Sequence, residues 1–386
     1  MADDLDEHLI PKNSPYNSRE PYVTAYDFDV THQIPAGGIN YTNLTAASRA
    51  ATAVISLSGE KGTFKDIQAA INYVNSLGGG RILVLPGTYT ITQALILYSD
   101  IVLEGLSPAD CIFDFNSTTF NLSTVASASD VSIKNLTLKN CFNAVTATIY
   151  LNTVTRVQID HCIFNGNVDG SGAGGDIYVQ ASRFVDVKFC ASTSSGVFYY
   201  ADSSAGINQV SFNDVISPVG YAIQGGTTVS GGGQTRYQNN NIRNMVKAAF
   251  TGRFNVATIN GNLVSSLSSI TEPVINLGTT GNCQISGNQV FGNTTSVVTL
   301  TDCSRCFFTG NSLIGTGSSV DGLRLVTSDF CTVTGNTIES GTTGGTAYGV
   351  NIGAGCDRTV VVGNHLNGLT ADTLDSGASS VIDHNS

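Results

Sequence analysis

The chain has 386 residues, with 18 Lys and Arg against 29 Asp and Glu, and a formal net charge of −11. That balance argues against nucleic acid and anionic membrane surfaces as partners, and no stretch is long and apolar enough to insert in a bilayer. Charged residues make up only 12%, Gly numbers 42 and Trp is absent, which suits a β-solenoid rich in Gly, Ser, Thr and Asn.

Residues 1–50 are irregular, carry Pro11, Pro15, Pro21 and Pro35, and contain no repeat. Such a segment cannot form a core of its own and is expected to be either disordered or docked along a partner. The first residues lack a basic region and an apolar core, so no secretory signal is expected. Residues 51–80 are read as a linker and a helix, with Phe64, Ile67, Ala70, Ile71 and Val74 on one face and Thr63 or Asp66 as cap. Gly78-Gly79-Gly80 ends that helix, and Arg81 to Tyr89 opens the first strands of a domain running from 81 to 386.

From Val131 onward a motif of apolar, two variable residues, Asn, one residue, apolar returns about every 25 residues. Its first positions are Ile133, Ile159, Val187, Val210, Tyr237, Ile259, Ile285, Phe308, Val333, Val361 and Ile382, with Leu136, Cys162 and Cys190 in place of Asn in the first three. The segments are short and β-branched, with no 3.6-residue period, so the fold is all-β: a solenoid whose turns stack to make the core. A second strand precedes most motifs, giving at least two strands per turn. A dozen turns at about 4.8 Å each make a rod roughly 55–60 Å long. The Asn column reads as stacked amides at a tight corner, in preference to a polar ligand strip. Cys283, Cys306 and Cys331 fall in one column of this frame and Cys162 and Cys190 in another, so stacked buried thiols are the simpler account beside a zinc reading of Cys303-x-x-Cys306. No cofactor is implied.

The run Thr63-Phe64-Lys65-Asp66-Ile67-Gln68-Ala69-Ala70-Ile71-Asn72, then the glycines, then Leu85-Pro86-Gly87-Thr88-Tyr89, resembles the start of the pectate-lyase-like right-handed parallel β-helix superfamily. Phage tailspikes and pectin-degrading enzymes share that start. The resemblance implies a right-handed parallel β-helix with an N-terminal capping α-helix. It implies little about function, because the scaffold hosts lyases, hydrolases, epimerases and adhesins. Galacturonan hydrolases of the fold carry an N-T-D, D-D, G-H-G, R-I-K series that this sequence lacks. The ligand and base groups of the lyases find only a sparse echo in Asp176, Asp202, Asp214, Arg183 and Arg236. His161 reads as a solvated surface residue.

The second strand of each turn offers the candidate site. Tyr150, Tyr178 and Tyr199 are expected on its outer face, beside Gln180 and Arg183. Aromatic rings next to amides and carboxylates suit an oligosaccharide, which stacks its apolar faces and bonds through its hydroxyls. Asp176 and Asp202, if they face one cleft, supply a carboxylate pair for acid/base hydrolysis. The alternative is an aromatic stack that only stabilises neighbouring strands or a subunit contact. With an unexported chain, a Pro-rich arm and a β-helix that ends on an open turn, the expectation is a virion protein of tailspike or capsid-decoration type. The arm would dock on a capsid or tail protein, and the β-helix would contact host surface polysaccharide. Resemblance to tailspikes implies a homotrimer. A polysaccharide depolymerase and a cytoplasmic β-helix scaffold are the competing expectations.

Overall fold

A three- to six-residue β-branched segment buries one face only when an identical segment lies beside it and another sheet lies opposite. The chain meets both needs by coiling. The computed structural model describes residues 51–386 except 61–62, 143–146, 168–174, 194–195, 203–204, 217–219, 226–233, 246, 254–255, 266–269, 271, 279–280, 293–295, 316–319, 340–346 and 368–370. The expected docking arm, residues 1–50, lies outside the described residues.

The fold is a right-handed parallel β-helix of about 11 turns. Each turn contributes one strand to each of three parallel sheets, which hold 14, 12 and 12 strands. The first sheet contains the repeat motif, and its register pairs Ile133 with Ile159, Ile159 with Val187, Val187 with Val210 and so on to Val361 with Ile382. The short apolar residue after each Asn forms the second sheet, as in Val264 paired with Val290 and Val290 with Leu313. The third sheet carries strands such as Ala147–Asn152, Gly175–Gln180 and Val197–Ala201. Every turn therefore has a third strand beyond the two that the repeat made evident.

Interior positions from the three sheets stack in columns of Ile, Val, Leu and Phe that are almost wholly buried. Each such side chain contributes about 1.5–3 kcal/mol of burial free energy. At the corner between the first and second sheets sits the amide column Asn213, Asn240, Asn262, Asn288, Asn311, Asn336, Asn364 and Asn385. Each Nδ2 donates to the next Oδ1 at 2.8–3.0 Å. Each Nδ2 also donates to a backbone carbonyl of the preceding turn, for example Asn288 to Ile259 at 2.9 Å. The Oδ1 of Asn288 in turn accepts the backbone N–H of Asn262 at 3.0 Å. Buried and fully bonded, this column is structural. The nine cysteines are all buried and unbridged.

The helix α1 spans Ile67–Ser76, with Asp66 as N-cap accepting from the Ala69 N–H at 2.8 Å. Ile67, Ala70, Ile71 and Val74 face the first turn. Phe64, expected on the helix face, precedes the helix and forms a parallel bridge with Ile55. Gly79 and Gly80 follow with φ of 115° and 145°, values that only glycine adopts freely, and swing the chain into strand Gly80–Val84.

Candidate functional site on the outer face of the third sheet

Alternation along the third sheet sends Ile149, Ile177 and Ile223 inward and their neighbours outward. The outward register pairs Tyr150 with Tyr178, Tyr178 with Tyr200, and Tyr200 with Gln224. The column continues through Thr251, Asn276, Thr299, Arg324 and Asn351. Parallel pairing thus stacks three half-buried tyrosines, with ring centroids 5.3 Å apart for Tyr150 and Tyr178 and 4.8 Å for Tyr178 and Tyr200. The rings are tilted by 44° and 62°, so ring edges and parts of the faces stay presented instead of closing into a flat pile.

Two residues further along the same strands, the outward positions hold Asn152 paired with Gln180, and Asp202 on the next turn. The Tyr150 hydroxyl donates to the Gln180 carboxamide oxygen, which ties the aromatic column to this polar one. Asp202 accepts the Ala181 N–H at 3.3 Å. Burial raises the Tyr178 phenol to about 12, with Tyr200, Asp202 and Tyr150 adding to the shift. Tyr150 and Tyr200 are raised for the same first reason, with Asp202 second. The three phenols are therefore neutral hydrogen-bond donors at ordinary pH. The Gln224 carboxamide oxygen is enclosed beside Tyr200 and has no hydrogen-bond partner among the described residues.

Two expected site residues are elsewhere. Tyr199 is not on the outer face: it is fully buried, pairs with Ile177, and meets Tyr237 edge-on at 6.4 Å in the interior. Its place in the outer row belongs to Tyr200. The cause is one additional residue in the corner that follows: the register pairs Ala201 with Val179, but Asn208 with Val185. Asp176 is likewise interior. It is wholly buried at the corner between the second and third sheets, where it accepts from Asn167 Nδ2 at 2.9 Å and from the Ser192 hydroxyl. Asp176 and Asp202 thus do not face one cleft, and the carboxylate pair expected for hydrolysis is not assembled. Arg183 is exposed past the corner into the first sheet, its aliphatic stem lying against Gly206, where a Cβ would come within 2.4 Å. Gln180 is the amide neighbour of the aromatic row, as expected. Asp214, a more distant candidate, forms a two-point pair with Arg243 at 2.9–3.0 Å.

The repeat pattern also missed a second group on the margin of this face. Tyr221, Lys247 and Glu272 lie on the segments leading into strands Ile223–Gln224, Phe250–Arg253 and Ile275–Gly278. The Tyr221 hydroxyl donates to Glu272 Oε1 at 2.9 Å, and the Lys247 ammonium sits 5.0 Å over the Tyr221 ring. Burial, then Glu272, raises the Tyr221 phenol to about 12. The available signal was spacing: each of the three stands three or four residues before an outward position of the third sheet.

A separate aromatic row marks the corner between the first and second sheets. His161, Phe189 and Phe212 stack at 5.0 and 5.3 Å with interplanar angles of 27° and 17°. All three have positive φ, between 52° and 58°. Their faces cover one another, so the row offers edges to solvent and no open platform. His161 also approaches Asp160 at 2.7 Å through Nδ1.

Coils of three parallel sheets with a stacked amide corner define the right-handed parallel β-helix class. No family model and no curated protein matches the sequence. Among solved structures, the chain is similar to the surface adhesin PfbA of Streptococcus pneumoniae, at 15% identity and a TM-score of 0.62, over 82% of this chain and 95% of that one. It is similar to tailspike protein 3 of bacteriophage CBA120 at 15% identity and a TM-score of 0.53, over 88% of this chain and 61% of the tailspike. A mutant of the periplasmic alginate epimerase AlgG aligns at 13% identity and a TM-score of 0.52, over 78% of each chain. At these identities the likeness is one of fold.

Proposed function

We propose that this protein binds a polysaccharide along the outer face of its third sheet, as a virion protein of tailspike or capsid-decoration type that contacts a host surface glycan. The observation that carries the reading is the row Tyr150, Tyr178 and Tyr200, tilted and half-buried beside Gln180 and Asp202. Aromatic platforms accept the C–H faces of a sugar ring, and neutral phenols, amides and a carboxylate bond its hydroxyls. Among solved structures of similar fold are a bacteriophage tailspike, a surface adhesin and an alginate epimerase, which is consistent with a glycan-facing role for such a scaffold. The homotrimer belongs to the same proposal. Depolymerisation through Asp176 and Asp202 is not favoured, because Asp176 is enclosed and engaged by Asn167 and Ser192.

The test is incubation of the purified chain with capsular and lipopolysaccharide preparations, following retention and the release of reducing or unsaturated ends. Binding without cleavage is expected, and Tyr178→Ala should weaken it about tenfold, the equivalent of roughly 1.4 kcal/mol. Asp176→Asn should change stability and leave glycan binding per folded molecule intact. Binding that survives the loss of all three tyrosines would remove this face from the account.

A further inference from the structure

The tyrosine row covers only part of the outer face of the third sheet. With neighbouring turns about 4.8 Å apart, the column from Tyr150 to Asn276 is roughly 24 Å long, and its later half is not aromatic. There the outward residues are Gln224, Thr251 and Asn276, with Arg253 outward two positions past Thr251 on the same strand. Lys247 stands on the opposite margin of that strand, its ammonium held over the Tyr221 ring. One turn of the coil thus places a cation on each side of Thr251.

These cations differ from several others in the molecule. Arg156, Lys188 and Arg243 are paired with Asp130, Asp186 and Asp214 at 2.6–3.2 Å. No carboxylate lies within 4.0 Å of Lys247, Arg253 or Arg324 among the described residues, and all three belong to the third sheet or its margin. Lys134, Arg183 and Arg236 of the first sheet also lack a carboxylate within 4.0 Å among the described residues, so Lys247 and Arg253 are set apart by their place on either side of Thr251. The nearby Glu272 is taken up by the Tyr221 hydroxyl at 2.9 Å. Tyr221 therefore does two things: it donates to one oxygen of the Glu272 carboxylate, and its ring face holds the ammonium through a cation–π contact. Arg253 is exposed, and Gly278 on the next turn leaves open space beside its stem.

We infer that Lys247 and Arg253 form an anion-recognising subsite next to the tyrosine row, and that the polysaccharide bound by this face is acidic. This rests on the glycan-binding reading above and specifies the ligand's chemistry. A neutral stretch of sugar lies over Tyr150, Tyr178 and Tyr200. Acidic groups, carboxylate or sulfate, on successive parts of the glycan are met by the cations on either side of Thr251. Charge-assisted bonds of this kind are stronger than neutral ones and lose strength with salt when they are exposed.

The experiment measures retention of the full chain in gels containing polygalacturonate, dextran sulfate or unmodified dextran, at low and high salt. Retention by at least one of the two anionic polymers well above that by dextran, and falling with salt, is expected; the polymer that retains it separates carboxylate from sulfate. Lys247→Gln and Arg253→Gln should each weaken anionic retention about tenfold, and Lys247→Arg should keep it, since the cation remains over Tyr221. Thermal melts of each variant show whether the fold is intact. Anionic retention unchanged in both Gln variants overturns the subsite, as does equal retention by dextran and the anionic polymers. Retention by neutral polymer alone, lost in Tyr178→Ala, overturns the acidic ligand and leaves the glycan-binding face standing. No retention by any polymer in the wild-type chain removes both.

Discussion

In the turns from Leu136 to Cys190, the interior corner between the first and second sheets is filled by Leu136, Cys162 and Cys190, whereas from Asn213 to Asn385 it is filled by amides. The position just before each of these differs as well. Asn135, His161 and Phe189 stand there in the early turns and Phe212 before the first amide, Asn213, all with positive φ, whereas the later turns have mostly glycine, as at Gly261, Gly287, Gly310, Gly335 and Gly363. The early turns thus hold a backbone conformation that costs a side-chain-bearing residue about 1–2 kcal/mol, and offset it by stacking rings worth about 0.5–1.5 kcal/mol. The later turns avoid the strain with glycine and invest in a hydrogen-bonded column. A solenoid repeat fixes the backbone path of its corner without fixing which chemistry fills it. The outer face divides similarly: aromatic on the third sheet through Tyr200, polar and cationic from Gln224 on.

The comparison breaks most visibly at the corner itself. Asn288→Ala removes the acceptor of the Asn262 amide and the donor to Asn311 Oδ1, both buried. Each group left unsatisfied costs about 1–3 kcal/mol, so a loss of roughly 3 kcal/mol or more is expected in denaturant unfolding. Cys162→Ala, in the other regime, should cost about 1 kcal/mol because only a small volume and a weak thiol contact to the Ile133 carbonyl are lost. Equal losses at the two sites would erase the distinction between the regimes. A sharper version is Cys190→Asn. The Cys190 N–H already donates to Asn213 Oδ1 at 2.9 Å and its thiol faces the Ile159 carbonyl, so an amide there has both partners waiting. It should extend the column and be tolerated to within about 1 kcal/mol.

A smaller effect is expected just before the corner. Gly310 has φ of 63° and open space where a Cβ would be, so Gly310→Ala should cost about 1 kcal/mol from backbone strain alone. Phe212→Gly should fall within about 0.5 kcal/mol of zero, since relief of strain offsets the lost stack on Phe189. A clear destabilisation by Phe212→Gly in thermal melts would show that the rings contribute more than their strain costs.

A further effect is expected at high pH. The Tyr178 phenol is raised to about 12 in the fold, above its unfolded value near 10. Its contribution to stability is complete below pH 10 and is lost as pH rises toward 12, because the unfolded chain releases the proton first. Tyr178→Phe should flatten that part of the stability profile. An unchanged slope between pH 10 and 12 would mean that the ring is better solvated than its half-buried position implies.

Reading the row as Tyr150, Tyr178 and Tyr199 fails by one residue, and that slip turns an outer side chain into an interior one because strand side chains alternate. The tyrosine pair at 199–200 makes either choice plausible in the sequence. Only the pairing of Tyr178 with Tyr200 settles it, and that pairing depends on the length of the corner after Ala201. Asp176 went astray for a related reason. It stands next to an inward Ile177, so alternation alone sends it outward, but the chain is still turning into the strand and the side chain closes the corner between two sheets. Tyr221, Lys247 and Glu272 escaped notice because they precede strands and share no residue type.

The sequence by itself determined the coil: an apolar residue and an Asn returning at a near-constant interval must align when turns stack, and every first motif position from Ile133 to Ile382 does so in the register. It also determined the helix α1, because an apolar stripe is a local property, and narrowed its cap to Thr63 or Asp66, of which the structure uses Asp66. Tertiary structure decided everything that depends on corner length and on contacts between turns. It brought Tyr200 to the row, enclosed Asp176, and set Lys247 over a ring 26 positions earlier in the chain. A period fixes which strands are neighbours. Which side chains meet across them is set by the backbone hydrogen bonds that hold the register, and those form only when the coil closes on itself.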